Sequence, residues 1–285
     1  MEKKMIDQIS RRAAIGAGAL LGAAAIAPTR AQAQAAQPTA GDTLAKVKAA
    51  GTLLAGVRND FPPIGSIDTS GKPVGFGPDL AEAFAKKLGV KAEFVPTTSR
   101  TRIPLLQNGS IDCEFGITTP TVEREKTVDF SIPYVWDAVS IIIKEGASKT
   151  VKDYAPPKKV ATTQGSYIIE LLKENIANPE IVLFQEYPDA VQALKNGKVD
   201  GVGVNRASAV AYVRKGSGLD MSENMVRDPW GIMVRPNDSN WRNWLNHTLQ
   251  ELWKDGTYKA LWEKHMGEVP DFYMFSPYML QPGIK

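Results

Sequence analysis

Two successive series of short apolar strands and amphipathic helices constrain this chain more than any other feature of its sequence. In the first, residues 52–57 (TLLAGV) read as a strand. Pro78 opens a helix with the apolar face Leu80, Ala81, Phe84, Ala85 and Leu88, Gly89 stops it, and residues 90–95 read as the next strand. A short helix over 102–109 ends at Asn108-Gly109 and leads into the apolar-leaning stretch 111–117. The second series repeats the plan: a strand over 159–163, Gln164-Gly165-Ser166 leading into a helix over 167–176, a strand over 181–184, a helix over 189–196 and a strand over 199–204. Strands alternating with helices in this way predict an α/β protein with two lobes. From 240 to 266 the chain is amphipathic, and Trp241, Trp244, Leu245, Thr248, Leu249, Leu252 and Trp253 form one helical stripe up to Gly256. A stripe of that kind is packing surface.

At 285 residues and 43% hydrophobic composition the chain can fill two cores of ordinary size. Its beginning reads differently. Lys3, Lys4, Arg11 and Arg12 precede an apolar run over 13–27 and the small-residue stretch Ala31-Gln32-Ala33, the pattern of a cleaved export signal over residues 1–35. Ser10-Arg11-Arg12 is twin-arginine-like, although Ala14 stands where that signal usually has Phe. Of the 34 basic and 31 acidic residues, five and two fall within 1–33, which leaves 29 of each sign. The remaining chain is neutral, which removes the electrostatic case for nucleic acid or an acidic membrane surface as partner. After the signal no run of about 18 apolar residues remains to span a bilayer.

Cys113 is the single cysteine, so an internal disulfide is impossible, and it reads as a small buried hydrophobe. His247 and His265 lack neighbours at ligand spacing, so no metal is expected, and no cofactor either.

Three segments in order, VGFGPDL (74–80), RIPLLQNG (102–109) and TPTVER (119–124) followed by VDFS (128–131), resemble the bacterial extracellular solute-binding proteins of family 3, the receptors of polar amino acid ABC importers. The resemblance covers about residues 42–270, and TSRTRIP (98–104) with TTPTVER (118–124) is most similar to the glutamate/aspartate-binding branch. It implies two lobes joined by a two-stranded hinge, with a ligand between them. By analogy the crossings fall near 134–139 and 228–232. Lobe 1 then comprises 41–136 and 231–285, and lobe 2 comprises 137–230.

The same resemblance implies the site. Arg124, assisted by Thr119, would bind an α-carboxylate, which suits a guanidinium that stays charged and offers a two-point fork. Gly165 and Ser166 would add donors at a helix start, where free amides favour an anion. Arg58 and Arg102, with Ser99 beside the latter, match positions that face a second carboxylate. Three converging arginines are costly to hold without about two negative charges between them, so the expected ligand is small and acidic. The second lobe departs from the pattern. Asn205 stands where the family presents an Asp to the ligand's ammonium, Tyr187 where the branch often has His, and Tyr167 where a small hydroxyl residue is usual. Two ligands therefore remain open, an acidic compound without an ammonium group and an amino acid whose ammonium finds neutral acceptors. The expected role is a periplasmic, monomeric receptor that presents its closed form to a membrane permease, with no catalytic residue. The alternative is a cyclohexadienyl dehydratase-like enzyme on the same fold, with Glu186 or Glu114 as its acid.

Overall fold

Every predicted strand of the two series is present, and each half of the molecule is built around three of them. The computed structural model describes residues 42–267, so the export signal falls outside the described residues. The first half begins with α1 (Thr43–Ala50) and β1 (Thr52–Arg58). A small antiparallel sheet follows, made of β2 (Asp60–Phe61), β3 (Gly65–Ile67) and β4 (Pro73–Val74), then α2 (Phe76–Leu88), β5 (Lys91–Thr97), α3 (Arg102–Gln107) and β6 (Cys113–Glu114). A 16-residue strand, β7 (Asp129–Lys144), leaves for the second half. There β8 (Lys159–Thr163), α4 (Ile168–Asn175), β9 (Glu180–Phe184), α5 (Tyr187–Lys195), β10 (Gly201–Asn205), α6 (Arg206–Tyr212) and β11 (Leu219–Met221) follow. The return strand β12 (Val226–Val234) brings the chain back, and α7 (Ser239–Lys254) and α8 (Thr257–Met266) pack on the first half.

The main sheet runs β5-β1-β6-β12-β7-β10-β8-β9, with β11 against β7. Its two ends share one plan. In β5-β1-β6 and in β9-β8-β10 the first strand of each series is central and parallel to both neighbours. Between them β7 and β12 pair antiparallel from Val226↔Val139 to Val234↔Asp129, with register shifts around Gly231. The crossings expected near 134–139 and 228–232 thus fall in a single ladder. In open α/β sheets of this kind ligands bind beyond the carboxyl ends of the parallel strands, where strand order reverses. Both halves direct those ends to one place.

Local chemistry accounts for the boundaries. The α2 helix begins at Phe76, two residues before the proline expected to open it, because the Phe76 and Gly77 amides donate to the carbonyls of Pro63 and Ile64. Gly75 makes that entry at φ 133°, Pro78 sits in the first turn where its missing N–H costs nothing, and Gly89 ends the helix at φ 74°. The stretch 111–117 gives only two strand residues. Glu114 is wedged between Gly56 of β1 and Met233 of β12, and the chain then leaves the sheet towards the cleft. On α7 the predicted stripe is buried: Trp241, Leu245, Leu249, Leu252 and Trp253 lie in the core, and Asp238 caps the helix by accepting the Trp241 amide. Gly256, at φ 83°, breaks the stripe into two helices.

Candidate functional site

All ten residues expected at the site lie at or just beyond the carboxyl ends of the parallel strands, or on the loop that follows β6. Arg58 ends β1, Ser99 and Arg102 follow β5, and Thr119 and Arg124 follow β6. Gly165, Ser166 and Tyr167 follow β8, Tyr187 follows β9, and Asn205 ends β10.

The three arginines are buried but differently employed. Arg58 is inaccessible; its Nε donates to Asp60 Oδ1 at 2.8 Å, and its Nη2 lies 2.7 Å from the same oxygen. Residues two apart on an extended chain share a face, and that brings the pair together. Burial works against the Arg58 charge, yet Asp60, with smaller help from Tyr187 and Glu114, holds its pKa above the ordinary value. Phe61 packs beneath the guanidinium, 5.2 Å from its ring centre, and meets Tyr187 edge-on at 5.0 Å.

Arg102 and Arg124 form no direct ion pair with any carboxylate of the described residues. Arg102 Nη1 donates to the Ile117 carbonyl at 3.0 Å and to Thr118 Oγ1 at 2.7 Å, and its Nε has no partner. Burial and the neighbouring Arg124 charge pull its pKa down to about 9, against the influence of Glu114. Arg124 Nη1 donates to the Thr119 carbonyl at 2.8 Å and Nη2 to the Gly165 carbonyl at 3.4 Å, while Tyr167 lies under its guanidinium at 5.6 Å. Burial lowers its pKa, opposed by Asp228 and Glu114.

Two carboxylates among these arginines were not anticipated as binding residues. Glu114 is inaccessible and accepts the Thr118 hydroxyl at 2.7 Å, so Thr118 relays between it and Arg102, while its Oε1 has no partner. Asp228, inaccessible on β12, accepts Thr119 Oγ1 at 2.6 Å, Trp230 Nε1 at 3.0 Å and the Asn205 side-chain amide. Burial raises its pKa against those hydrogen bonds. The Tyr167 hydroxyl approaches Asp228 and Thr119 without good hydrogen-bond geometry to either, and its pKa is raised by burial and by Asp228. The three arginines lie near enough for Arg102 to feel the charges of the other two, but Asp60, Glu114 and Asp228 already stand among them, so uncompensated positive charge is narrowed to Arg102 and Arg124. Asp228 lies 109 residues from Thr119 in sequence, and only its place on the return strand could have hinted at a role.

Thr119 and the second-half residues are likewise engaged. The Thr119 hydroxyl serves Asp228, and its main chain serves Arg124. Ser166 Oγ accepts the Ile168 amide at 3.3 Å, so one donor of the α4 start is already used within the helix cap. Gly165 adopts φ 79° with its backbone close against that of Ser99 and Arg100. Further contacts bridge the halves: Thr163 Oγ1 with Ser99 Oγ, Arg100 with Gln185 at 3.2 Å, and Ser208 Oγ with the Pro62 carbonyl at 2.8 Å. The two halves are closed on each other. Glu186, the other acid of the dehydratase alternative, precedes α5 and its side chain makes no cap hydrogen bond.

Among the described residues no group of His, Cys, Asp and Glu can hold a metal ion, and no helix is long and apolar enough to cross a membrane. Cys113 is buried as expected, and burial raises its pKa well above the ordinary value.

The profile of the bacterial extracellular solute-binding proteins, family 3, matches residues 53–268. The L-cystine-binding protein TcyJ of Escherichia coli K12 is 32% identical over 228 residues, covering 79% of this chain and 86% of the relative. The glutamate/aspartate import solute-binding protein of the same organism is 29% identical over 259 residues, covering 85% of each. Among solved structures, the ancestral amino acid-binding protein AncCDT-1, described as a precursor of cyclohexadienyl dehydratase, is 35% identical with a TM-score of 0.74, covering 79% of this chain and 99% of that one. The fold similarity thus extends towards the dehydratase alternative, but all three are named as binding proteins and none as an enzyme.

Proposed function

Because the chain belongs to the bacterial extracellular solute-binding proteins of family 3, we propose that it is the receptor of an ABC importer for a small acidic ligand, a glutamate- or aspartate-like amino acid or a related dicarboxylate. The observation that carries this reading is the pair Arg102 and Arg124, buried guanidinium groups with no direct carboxylate partner at the carboxyl ends of the strands. A buried, unpaired cation is costly, and two ligand carboxylates would relieve both. In this reading Arg124 takes the α-carboxylate by exchanging its carbonyl partners for a two-point fork, with Gly165 and Ser166 closing from the other side. Arg102, with Ser99, takes the second carboxylate, while Arg58 and Tyr187 shape the wall behind it. Tyr167 covers the ligand under Arg124.

Binding then works by population. The ligand touches both halves only when they are closed, so it shifts the open–closed equilibrium towards the form a membrane permease recognises. The lobes divide at the β7/β12 ladder, near the boundaries 41–136, 137–230 and 231–285, and the receptor acts as a periplasmic monomer after removal of a twin-arginine-like signal over 1–35. A thermal-shift screen of the purified protein against acidic, neutral and cationic amino acids and plain dicarboxylates tests the reading. Stabilisation by acidic ligands is expected, and a response confined to cationic or neutral amino acids overturns it.

A further inference from the structure

We propose that Asp228, carried on the return strand β12, is the carboxylate that receives an ammonium group from the ligand, so that the ligand is an α-amino acid and not a plain dicarboxylate. This rests on the reading that the cleft binds a small carboxylate on Arg124. It concerns the one place where the second half departs from expectation, since Asn205, at the end of β10, offers an amide where a carboxylate was due.

The structure puts a carboxylate beside that amide. The Asn205 side chain donates to Asp228 Oδ2, so it acts as a donor that orients the acid and is not itself the acceptor for a cation. Trp230 Nε1, at 3.0 Å, occupies the same oxygen. Oδ1 accepts the Thr119 hydroxyl at 2.6 Å; the Tyr167 hydroxyl also lies close to the acid but makes no well-formed hydrogen bond, and a carboxylate oxygen can take a second donor. The inaccessible acid takes its hydrogen bonds from neutral donors and makes no direct ion pair with the described residues, with the Arg124 charge close enough to act on it but not in contact. An anion buried in that way is stabilised by a cationic hydrogen-bond donor more than by any further neutral one.

Position argues for an α-amino acid in particular. In such a ligand the carboxylate and the ammonium hang from one carbon, so the groups that receive them must be neighbours. Thr119 makes them so: its hydroxyl contacts Asp228 Oδ1 and its carbonyl contacts Arg124 Nη1 at 2.8 Å. The anion-binding fork and the free side of the acid therefore meet at one residue. A dicarboxylate without the amine would bring only negative groups to a site that already holds Asp228.

The test compares ligand pairs that differ only in the amino group, glutamate with glutarate and aspartate with succinate, by titration calorimetry on the wild type and on Asp228→Asn. The wild type is expected to prefer the amino acid of each pair by about tenfold or more, the scale of one charge-assisted hydrogen bond. Asp228→Asn keeps the size and one acceptor but removes the charge, and should abolish the preference by weakening the amino acid while leaving the amine-free acid unchanged or tighter. If the variant fails to fold, Asp228→Asn combined with Asn205→Asp returns a carboxylate to the end of β10 and should restore the preference. Equal weakening of both members of a pair, or a wild type that binds the amine-free acid as tightly, overturns the assignment. The acidic-ligand reading fails separately: if the wild type binds glutamine but neither acid, that reading falls, and Asp228 is then judged on glutamine against 4-carbamoylbutyrate by the same criterion.

Discussion

Thr163 Oγ1 lies 3.2 Å from Ser99 Oγ, a hydroxyl pair in which one partner ends β8 and the other follows β5. The contact exists only because the two halves of the sheet are closed, and it stands beside the place where Gly165 meets the backbone of Ser99 and Arg100. Closure here is a matter of backbone against backbone, with little room for an added atom.

Gly165→Ala tests that closeness. A Cβ would fall 2.8 Å from the Ser99 carbonyl oxygen and 3.0 Å from Arg100 Cα, at a positive φ that disfavours alanine. Opening relieves the clash, so the protein should fold but resist closure. Ligand affinity is expected to fall by about tenfold or more, the scale of 1–3 kcal/mol of local strain. Small-angle scattering with saturating ligand should report a larger radius of gyration than the wild type; an unchanged compaction would contradict the prediction.

Arg124→Lys keeps the charge and removes the planar fork. Losing a two-point charged contact with a carboxylate should weaken binding by about 2–4 kcal/mol, roughly thirtyfold to a thousandfold. Calorimetry checks it, and near wild-type affinity would show that a point charge suffices.

Asp60→Asn addresses stability more than recognition. It leaves the inaccessible Arg58 without its charged partner, a loss that typically costs about 3–5 kcal/mol and should lower Tm by on the order of 10 °C. Replacing both members, Arg58→Met with Asp60→Leu, should cost clearly less than Asp60→Asn alone. Thermal unfolding measures both, and a double variant less stable than the single would count against the ion pair as the cause.

Asp137 supplies a pH dependence. It stands opposite Asp228 in the β7/β12 ladder and accepts the Ala207 amide at 3.1 Å. Burial, with the Asp228 charge adding to it, raises its pKa to about 7, against the Ala138 and Ala207 amides and Arg206. Between an ordinary carboxyl pKa near 4 and that raised value the folded state holds a proton the unfolded chain has lost, so stability from this group falls as pH rises. Asp137→Asn should flatten the decline from pH 4 to 7 and stabilise the protein at pH 8 by about 1 kcal/mol, allowing for solvent screening. Denaturant midpoints across that range decide the point, and an unchanged slope would rule Asp137 out as its source.

The repeated strand–helix plan was readable because β1, β5, β8, β9 and β10 each carry their own apolar run, and α2 and α7 each carry one apolar face. The 16-residue β7 was less so. Only part of it reads as a crossing, since a strand buried along much of its length and followed by a short 3-10 turn in place of an amphipathic α-helix shows no change of period to mark its limits. The arginines and Thr119 announced themselves through a local motif. Asp60 was as near in sequence, yet its pairing with Arg58 depends on the two side chains sharing one face of an extended segment. Asp228 and Glu114 were hidden for a different reason: their roles come from the meeting of β12, β6 and β10, which no short window of sequence contains.

The topology has one more consequence. Everything between Lys144 at the end of β7 and Val226 at the start of β12 leaves and re-enters the first half through adjacent strands, so it is spliced in as a single uninterrupted cassette. Such a cassette can be traded between relatives without cutting the first half. A hybrid would carry a foreign counterpart of Asn205, Tyr187 and Tyr167 while keeping Arg102, Arg124 and Asp228, so recombination would exchange one wall of the cleft and leave the anion grip proposed for the two arginines inherited intact.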